Sequence, residues 1–582
     1  MLVVFLLSLL QHDARSEILI PVHNPQDQAL SQCVTDVLQR YYTNKKELTF
    51  VNINSENDDF LKAIHSMAIS SLILRQSNHK IKIPHEGYLI YSNDVTDFIK
   101  YFKYLIREWS WNPYARFFIV IRHLKSEYLD HVFTALLKQH VFNVLLINGT
   151  ENSDLYTYNP FDNYACGKHY DAVTNFGHCS NNTQDLFPNK LVTGLRNCTF
   201  NTVIPHWPPY TINPLRNEKG PNIGAEQSIF QVISDLEGFK LNFTCDNDGD
   251  DFSTVTGDME AIGYLSKLQN GEADVILGGM LLVPSRIDAF TYVYEHLTYI
   301  DEIRFFVKKA TFVAAWKNVY LEFNAKVWVL LILALILYWL LMIVLLRLKD
   351  KTYLMLRMLD ILLLHGFDVR CRLAVKCVLI LWVWFAYLVN TYYQSSLVSI
   401  TANPIKEYQV ATEEDAVQHK LRSCVSMAMK KYNTDVTQMV PTPDLTEGCH
   451  GILESLATVA RSNDMYTVIL QSVYSYNKQQ FCDEFGTSLV HSFKQPYAKV
   501  IYGVYFYKGF PMHTKLSLNA LRIRENGLAD KLLGDMYYLR DIEQHYRAKE
   551  LHLQFANPFL GYALACLAAI IVFVVEILSK HK

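Results

Sequence analysis

At 582 residues the chain is long enough for more than one domain, and 50% hydrophobic residues with 13% aromatics is rich for a soluble protein. A net charge of −3 excludes the global basic field that collects nucleic acid. The apolar residues are clustered, so the surplus belongs to particular segments rather than to a larger soluble core.

Met1 to Leu10 is an apolar run of signal-peptide length without a basic start, closed by Asp13, Arg15 and Glu17, and 1–16 is expected to be a signal peptide. Residues 17–190 mix aromatics with charges and show helix-like stretches at 61–73 and 128–139; they are expected to form an extracellular α/β domain. Thr199 to Ile204 is a strand candidate, followed by the breakers Pro205, Pro208 and Pro209. Ala225 to Glu237 is predicted as a helix with Ile229, Val232, Ile233 and Leu236 on its buried face, and Gly238 is a natural stop. Phe239, Leu241 and Phe243 then alternate with polar residues, the period of a half-buried strand. A helix ends at Asn270-Gly271, and Val275-Ile276-Leu277 reads as a buried strand. Strands alternating with helices indicate an α/β unit.

Val327 to Leu346 carries no charge, and neither does Cys377 to Ile400; Pro558 to Val575 is a third such run, stopped by Glu576. Crossing a bilayer takes about 20 apolar residues as a helix, so spans are expected at 327–346, 374–400 and 556–577. The alternative, a buried soluble helix, is weakest for the first run, which is apolar on every face. Tyr353 to Gly366 is too short to span and holds Arg357 and Asp360, which suggests a re-entrant or interfacial piece within 352–369, or else a cytoplasmic amphipathic helix. The stretch 347–376 carries seven Lys and Arg, among them Arg347, Arg370 and Lys376, against Asp350, Asp360 and Asp368, and the tail 578–582 adds Lys580 and Lys582. Both therefore face the cytoplasm, which puts 17–326 and 401–556 outside. The sequons at Asn148, Asn181, Asn197 and Asn242 all fall outside on this topology, as supporting signs only. Eight of the 11 cysteines also lie outside, where disulfides persist. The expected pairs are Cys198 with Cys245 and Cys424 with Cys449, with free buried thiols as the alternative.

The second outer segment opens with a capping box, Thr412-Glu413-Glu414-Asp415, before a helix. Tyr502 to Tyr507 is a strand candidate, and Leu528, Leu532 and Met536 mark a helical face, so this segment is α/β too. Two soluble segments separated by a membrane insert each need a partner for their core, and the simplest partner is the other.

Gly271-Glu-Ala-Asp-Val-Ile-Leu-Gly-Gly-Met-Leu-Leu-Val-Pro-Ser-Arg286 resembles the stretch of ionotropic glutamate receptors that ends in the arginine gripping the ligand carboxylate. Tyr502-Gly503, Lys508-Gly509 and Glu525-Asn-Gly-Leu-Ala-Asp-Lys-Leu532 resemble the close of that family's binding domain. Tyr393-Gln-Ser-Ser-Leu-Val-Ser399 resembles its gate helix, particularly in insect ionotropic receptors, and Phe573-Val-Val-Glu576 resembles the end of its last span. The likeness covers roughly residues 190–582 in order. It implies a multidomain membrane protein with an extracellular bilobed, periplasmic-binding-protein-like α/β ligand-binding domain, three transmembrane helices and a re-entrant pore loop. Lobe one would be 191–320 with a contribution from 495–550, and lobe two 407–550. A 17–190 segment far shorter than the vertebrate-type amino-terminal domain favours the insect chemosensory branch.

The resemblance implies a non-selective, ligand-gated cation-channel subunit in the plasma membrane, with co-receptor subunits in a tetramer and a small-molecule ligand. It implies that Arg286 meets a carboxylate, as a guanidinium fork does well, unless it is an arginine paired with Asp288 or Glu295. Leu281 stands where the family has a ligand-binding threonine, Gly279 where it has a proline, and Gln471 where it has an acid for the ligand amine. These departures argue against glutamate or glycine as ligand. Tyr393, Ser396, Leu397 and Ser399 would form the gate. Lobe one would lead into the first span at 320–326 and lobe two would join the gate helix at 400–406. Asp360 and Asp368 either line the pore as acidic rings or, as favoured, sit in cytosol beside Arg357 and Arg370. The alternative function is a non-conducting, membrane-tethered receptor or modulatory subunit. No HExxH, GxSxG or Walker A motif occurs and the histidines are scattered, so neither an enzyme nor a cofactor is expected.

Overall fold

The computed structural model describes residues 25–580 apart from 43–46, 54–59, 62–63, 65–71, 75–82, 151–152, 180–181, 192–193, 217–221, 247–252, 299, 315–316, 318–319, 347–350, 367–372, 438–447 and 543–555. The expected signal peptide, Asn181 and Asp368 lie outside the described residues.

The first unit is a seven-stranded sheet. Its elements are α1 (Pro25–Tyr41), β1 (Leu48–Ile53), β2 (Leu72–Leu74), β3 (Gly87–Ser92), α2 (Val95–Leu105), β4 (Arg116–Ile121), α3 (Leu129–Leu137), β5 (Val144–Asn148), β6 (Asp154–Tyr158) and β7 (Val173–His178). The order is β2-β1-β3-β4-β5-β6-β7, parallel as far as β5 and antiparallel beyond it. Neighbouring strand residues serve opposite cores: Tyr88, Ile90, Phe117 and Ile119 pack with α2 and α3, whereas Leu89, Tyr91, Phe118 and Val120 pack with α1. With both faces covered, a strand such as Arg116–Ile121 is apolar almost throughout, and its period of two is hidden in the sequence. α3 falls inside the expected helix 128–139. The expected helix 61–73 is corrected at its end, where Leu72–Leu74 pairs with β1 as an edge strand.

The second unit begins with β8 (Thr199–Pro205), α4 (Ala225–Glu237), β9 (Lys240–Asp246), the small hairpin β10 (Thr254–Val255) and β11 (Ala261–Ile262), α5 (Tyr264–Gln269), β12 (Val275–Ile276), α6 (Pro284–Ala289) and β13 (Thr291–Val293). α4 has the expected bounds and ends at Gly238, which takes the left-handed conformation (φ 76°) and donates to Ser234 O at 2.8 Å. Its buried face is shifted from the expected one: Phe230 is buried beside Ile229 and Ile233, while Val232 and Leu236 are 41% and 67% exposed.

β14 (Asp301–Lys308) then leaves this unit and enters a third. After three inserted helices, two of them long and apolar, come α10 (Glu413–Gln418), β15 (Arg422–Ser423), α11 (Met427–Thr437), α12 (Ile452–Arg461), β16 (Met465–Leu470), α13 (Gln471–Asn477), β17 (Val490–Ser492) and β18 (Ala498–Val500). The third sheet runs β15-β16-β14-β17, with β18 also on β14. The chain then returns to the second sheet as β19 (Val504–Phe506), followed by α14 (His513–Glu525) and α15 (Leu528–Ile542). β19 lies between β13 and β12, antiparallel to both, in the order β13-β19-β12-β8-β9. Each sheet therefore has an inner strand from the far side of the apolar insert, and one core spans both units through Phe200, Ile229, Ile303, Phe306, Leu456 and Leu516. This corrects the expected lobe-one ranges 191–320 and 495–550, because 301–308 of the first and 498–500 of the second belong to the third unit.

The insert holds α7 (Ala325–Leu346), α8 (Lys351–Leu362) and α9 (Leu373–Ala402); α16 (Ala556–Lys580) closes the chain. Two stretches, Ala325–Leu345 and Val375–Ile400, are long and apolar enough to cross a membrane, and Tyr562–Val575 is a shorter apolar stretch. Their faces are open: Leu330, Leu381, Trp384 and Ile571 are each at least 60% exposed. α8 lies against the middle of α9 and runs in the same direction. Trp382 Nε1 donates to Met358 O at 3.2 Å, and Asn390 Nδ2 donates to Leu362 O. Met342 of α7 joins Leu354, Met358, Leu379 and Trp382 in a small core there.

Three disulfides form among the described residues. Cys33–Cys179 clips α1 to the end of the first sheet, Cys166–Cys198 ties the first unit to the second, and Cys424–Cys449 is as expected. The expected Cys198–Cys245 pair is corrected: Cys245 is a free thiol. Parallel pairing sets Cys245 opposite Ile204, at the far end of the β8–β9 ladder from Cys198.

Candidate functional site

A cavity of about 70 Å³ lies between the second and third units. The second unit supplies Pro205 at the end of β8 and Trp207 just after it, the loop Gly278–Leu281 after β12, and Arg286 from α6. The third supplies Ala428 and Met429 from α11, Ile452 from α12 and Leu470 at the end of β16. The loop can approach this closely because it begins with two glycines. Gly278 and Gly279 have φ of 136° and 60°, and a Cβ on either would come within 2.5 Å of Pro205 or Tyr210.

A carboxylate that sequence reasoning missed holds this loop. Glu226, in the first turn of α4, is fully buried; its Oε2 accepts from the amides of Gly278 and Gly279 at 2.8 and 2.9 Å. Its Oε1 lies 2.9 Å from Nε2 of the equally buried His296. An acid in a helix's first turn is ordinary in sequence, and nothing local marks this one as buried.

Arg286 is 1% exposed and reaches the cavity wall, and three of its donors serve the backbone. Nε and Nη2 donate to Ser253 O at 3.1 and 2.5 Å, and Nη1 donates to Leu281 O at 2.7 Å. Leu281 O also accepts from Tyr505 Oη at 2.9 Å, and the guanidinium lies 6.0 Å from the Tyr505 ring centre. Burial pushes the Tyr505 hydroxyl up to about 12, against the lowering effect of the Arg286 charge. Leu281 also lines the cavity, with its backbone bridged to Tyr502.

Gln471 is not brought together with them. It opens α13 and faces a separate depression of about 380 Å³ with Asp301, Glu302, Ser475 and Tyr537, and its amide donates to Ser475 Oγ at 3.2 Å. Beside it is a hinge cluster that the sequence did not advertise. Asp301, the first residue of β14 and 3% exposed, accepts from Ser472 N at 3.2 Å and from the Ser472 and Tyr502 hydroxyls. Asp301 lies just past one crossing between the units and Tyr502 on the other, so the cluster joins the two connections. Burial pushes the Asp301 carboxyl above its ordinary range, opposed by the Ser472 and Tyr502 hydrogen bonds.

The expected gate residues lie in the last third of α9. The Tyr393 ring sits 5.9 Å from Phe323 and 6.4 Å from Trp328 at the start of α7; Ser396 and Leu397 are half-buried and Ser399 is exposed. The chains entering α7 and leaving α9 pair with each other: Val313 N donates to Ile405 O at 2.9 Å and Glu407 N to Thr311 O at 2.9 Å, with Phe312 bridged to Lys406. Both lead to the third unit, since β14 precedes one and α10 follows the other. The expected attachment of the first span to lobe one is therefore corrected. In the expected pore segment, Asp360 pairs with Arg357 at 3.7 Å, both partly exposed. Of the sequons, Asn197 and Asn242 are exposed and Asn148 is half-buried.

The described residues thus define a mixed α/β chain with parallel-rich sheets, two long apolar helices and a shorter one. No protein-family model matches the chain, and no curated protein does.

Proposed function

We propose that the chain is a subunit of a ligand-gated, non-selective cation channel of the ionotropic glutamate receptor type, serving chemosensation as insect ionotropic receptors do. In this reading the first three units lie outside the cell, α7, α9 and α16 cross the plasma membrane, and α8 re-enters it from the cytoplasmic side. The observation that carries the reading is the exchange of strands across the insert. β14 and β19 weave the two outer segments into a pair of units around a shared cavity, with α7 and α9 joined to the third unit.

Three disulfides suit an oxidising exterior. The open faces of α7 and α9 suit lipid or neighbouring subunits. The contacts of α8 with the middle of α9 suit a pore-lining hairpin. Closure of the two units on a ligand moves the third unit, and the paired linkers at 311–313 and 405–407 pass that movement to α7 and α9 together. Shifting a gate from 1:99 to 99:1 takes about 5.5 kcal/mol of differential binding, which several subunits share.

The second reading is a non-conducting tethered or modulatory subunit. It draws on the Arg357–Asp360 pair, which offsets the acidic charge a cation pathway would use. The deciding experiment expresses the chain with candidate co-receptor subunits and records currents. Ligand-evoked cation current is the expected result. Silence in every combination, with the chain present at the surface, overturns the channel reading.

A further inference from the structure

We infer that the cavity between the second and third units takes a small neutral organic molecule of mainly apolar surface, such as a short-chain alcohol, ketone or ester, and not a carboxylate. The inference rests on the bilobed binding reading and narrows its ligand. Trp207, Met280, Leu281, Met429, Ile452 and Leu470 make the wall predominantly apolar and come from both units. Two of them are methionines, whose flexible thioethers adapt to small apolar shapes.

The wall's one guanidinium is already engaged. Three of its five N–H groups bond the carbonyls of Ser253 and Leu281. Turning Arg286 toward an incoming carboxylate would strip Ser253 O of both bonds it receives from that side chain, inside a buried site. The arginine therefore acts as a brace that fixes two wall segments, 253 and 281. A carboxylate entering here would also give up its hydration for an apolar lining.

The test measures binding, not current. Full-length chain in detergent is titrated with 1-butanol, 2-butanone, butyrate and glutamate, and thermal midpoint and tryptophan fluorescence are recorded. Saturable shifts with the two neutral probes, absent with both anions, are expected. Ala428→Leu and Leu470→Phe, which fill the cavity, should each weaken neutral binding at least tenfold. A saturable response to butyrate or glutamate that Arg286→Lys removes would overturn the inference. So would equal responses of the filled variants and the parent, or no saturable response to any probe. A chain that binds butanol but never conducts leaves this inference standing and removes the channel reading.

Discussion

Tyr502→Phe tests the hinge through a single oxygen. The Tyr502 side chain is 2% exposed, so phenylalanine fills its space and leaves no cavity. What is lost is a hydrogen bond to the buried Asp301 carboxylate, and bonds to charged groups contribute about 1.5–3 kcal/mol. Local opening between β14 and the start of α13 should become easier by that amount, an acceleration of about 10–150-fold in amide exchange. The penalty also has a sign in pH. Burial already holds the Asp301 carboxyl above its ordinary value, and losing one of the hydroxyls that oppose this raises it further. A carboxyl whose folded pKa exceeds its unfolded value of about 3.9 is protonated first in the folded state, so folding gains as pH falls through that window. The variant should thus be most penalised near neutral pH and approach the parent as the carboxyl takes up its proton. Hydrogen exchange read by mass spectrometry over 465–477 in the full-length chain, as a variant-to-parent ratio at two pH values, measures both effects. A ratio below about threefold at neutral pH, or the same ratio in acid, would refute the reasoning.

Cys166→Ser opens a bridge that spans 32 residues, and chain entropy for a loop of that length puts the loss at about 3–4 kcal/mol. Proteolysis should then release the first unit from the second more readily than in the parent. His140 stacks on Tyr507 at 4.0 Å, and burial lowers its pKa to about 4, below the unfolded value of about 6.5. The unfolded chain therefore binds more protons between these values, and stability falls as pH drops from about 6.5 to about 4. The loss is on the order of 2–3 kcal/mol once the ring's partial exposure is allowed for; thermal midpoints of His140→Phe should lack that part of the slope. Asn197→Gln and Asn242→Gln should each remove one glycosidase-sensitive mass step when the chain is made in a secretory cell, because both side chains are exposed. No change on a gel would place these asparagines away from the lumen.

Elements governed by neighbours in sequence were legible. Thr412 accepts from Asp415 N at 3.1 Å as the capping box requires, α4 stops at Gly238, and the uncharged run 327–346 lies within one helix. Elements governed by distant partners were not. β19 has three residues and β14 eight, and nothing in either says which sheet it will join. The first unit was opaque because its strands are covered on both sides. At the site, the resemblance pointed to Leu281 and Arg286, which both line the cavity, but the carbonyls that engage Arg286 depend on where 253 lands, which is a tertiary matter. Gln471 lines a different depression, beside Asp301 and Tyr537, which contacts distant in sequence decide. Glu226 escaped notice because the amides it satisfies lie some 50 residues away.

The interleaved strand order has a consequence for synthesis on the ribosome. β12 emerges early with one edge bare, and its partner β19 follows roughly 230 residues later, after α7, α8 and α9 have been made. At about 5–20 residues per second the exposed edge waits on the order of 10–50 s. An unpaired edge is a template for pairing with other chains. The nascent protein would therefore depend on chaperones until β19 arrives, and truncations before Val504 should aggregate rather than leave a folded amino-terminal half.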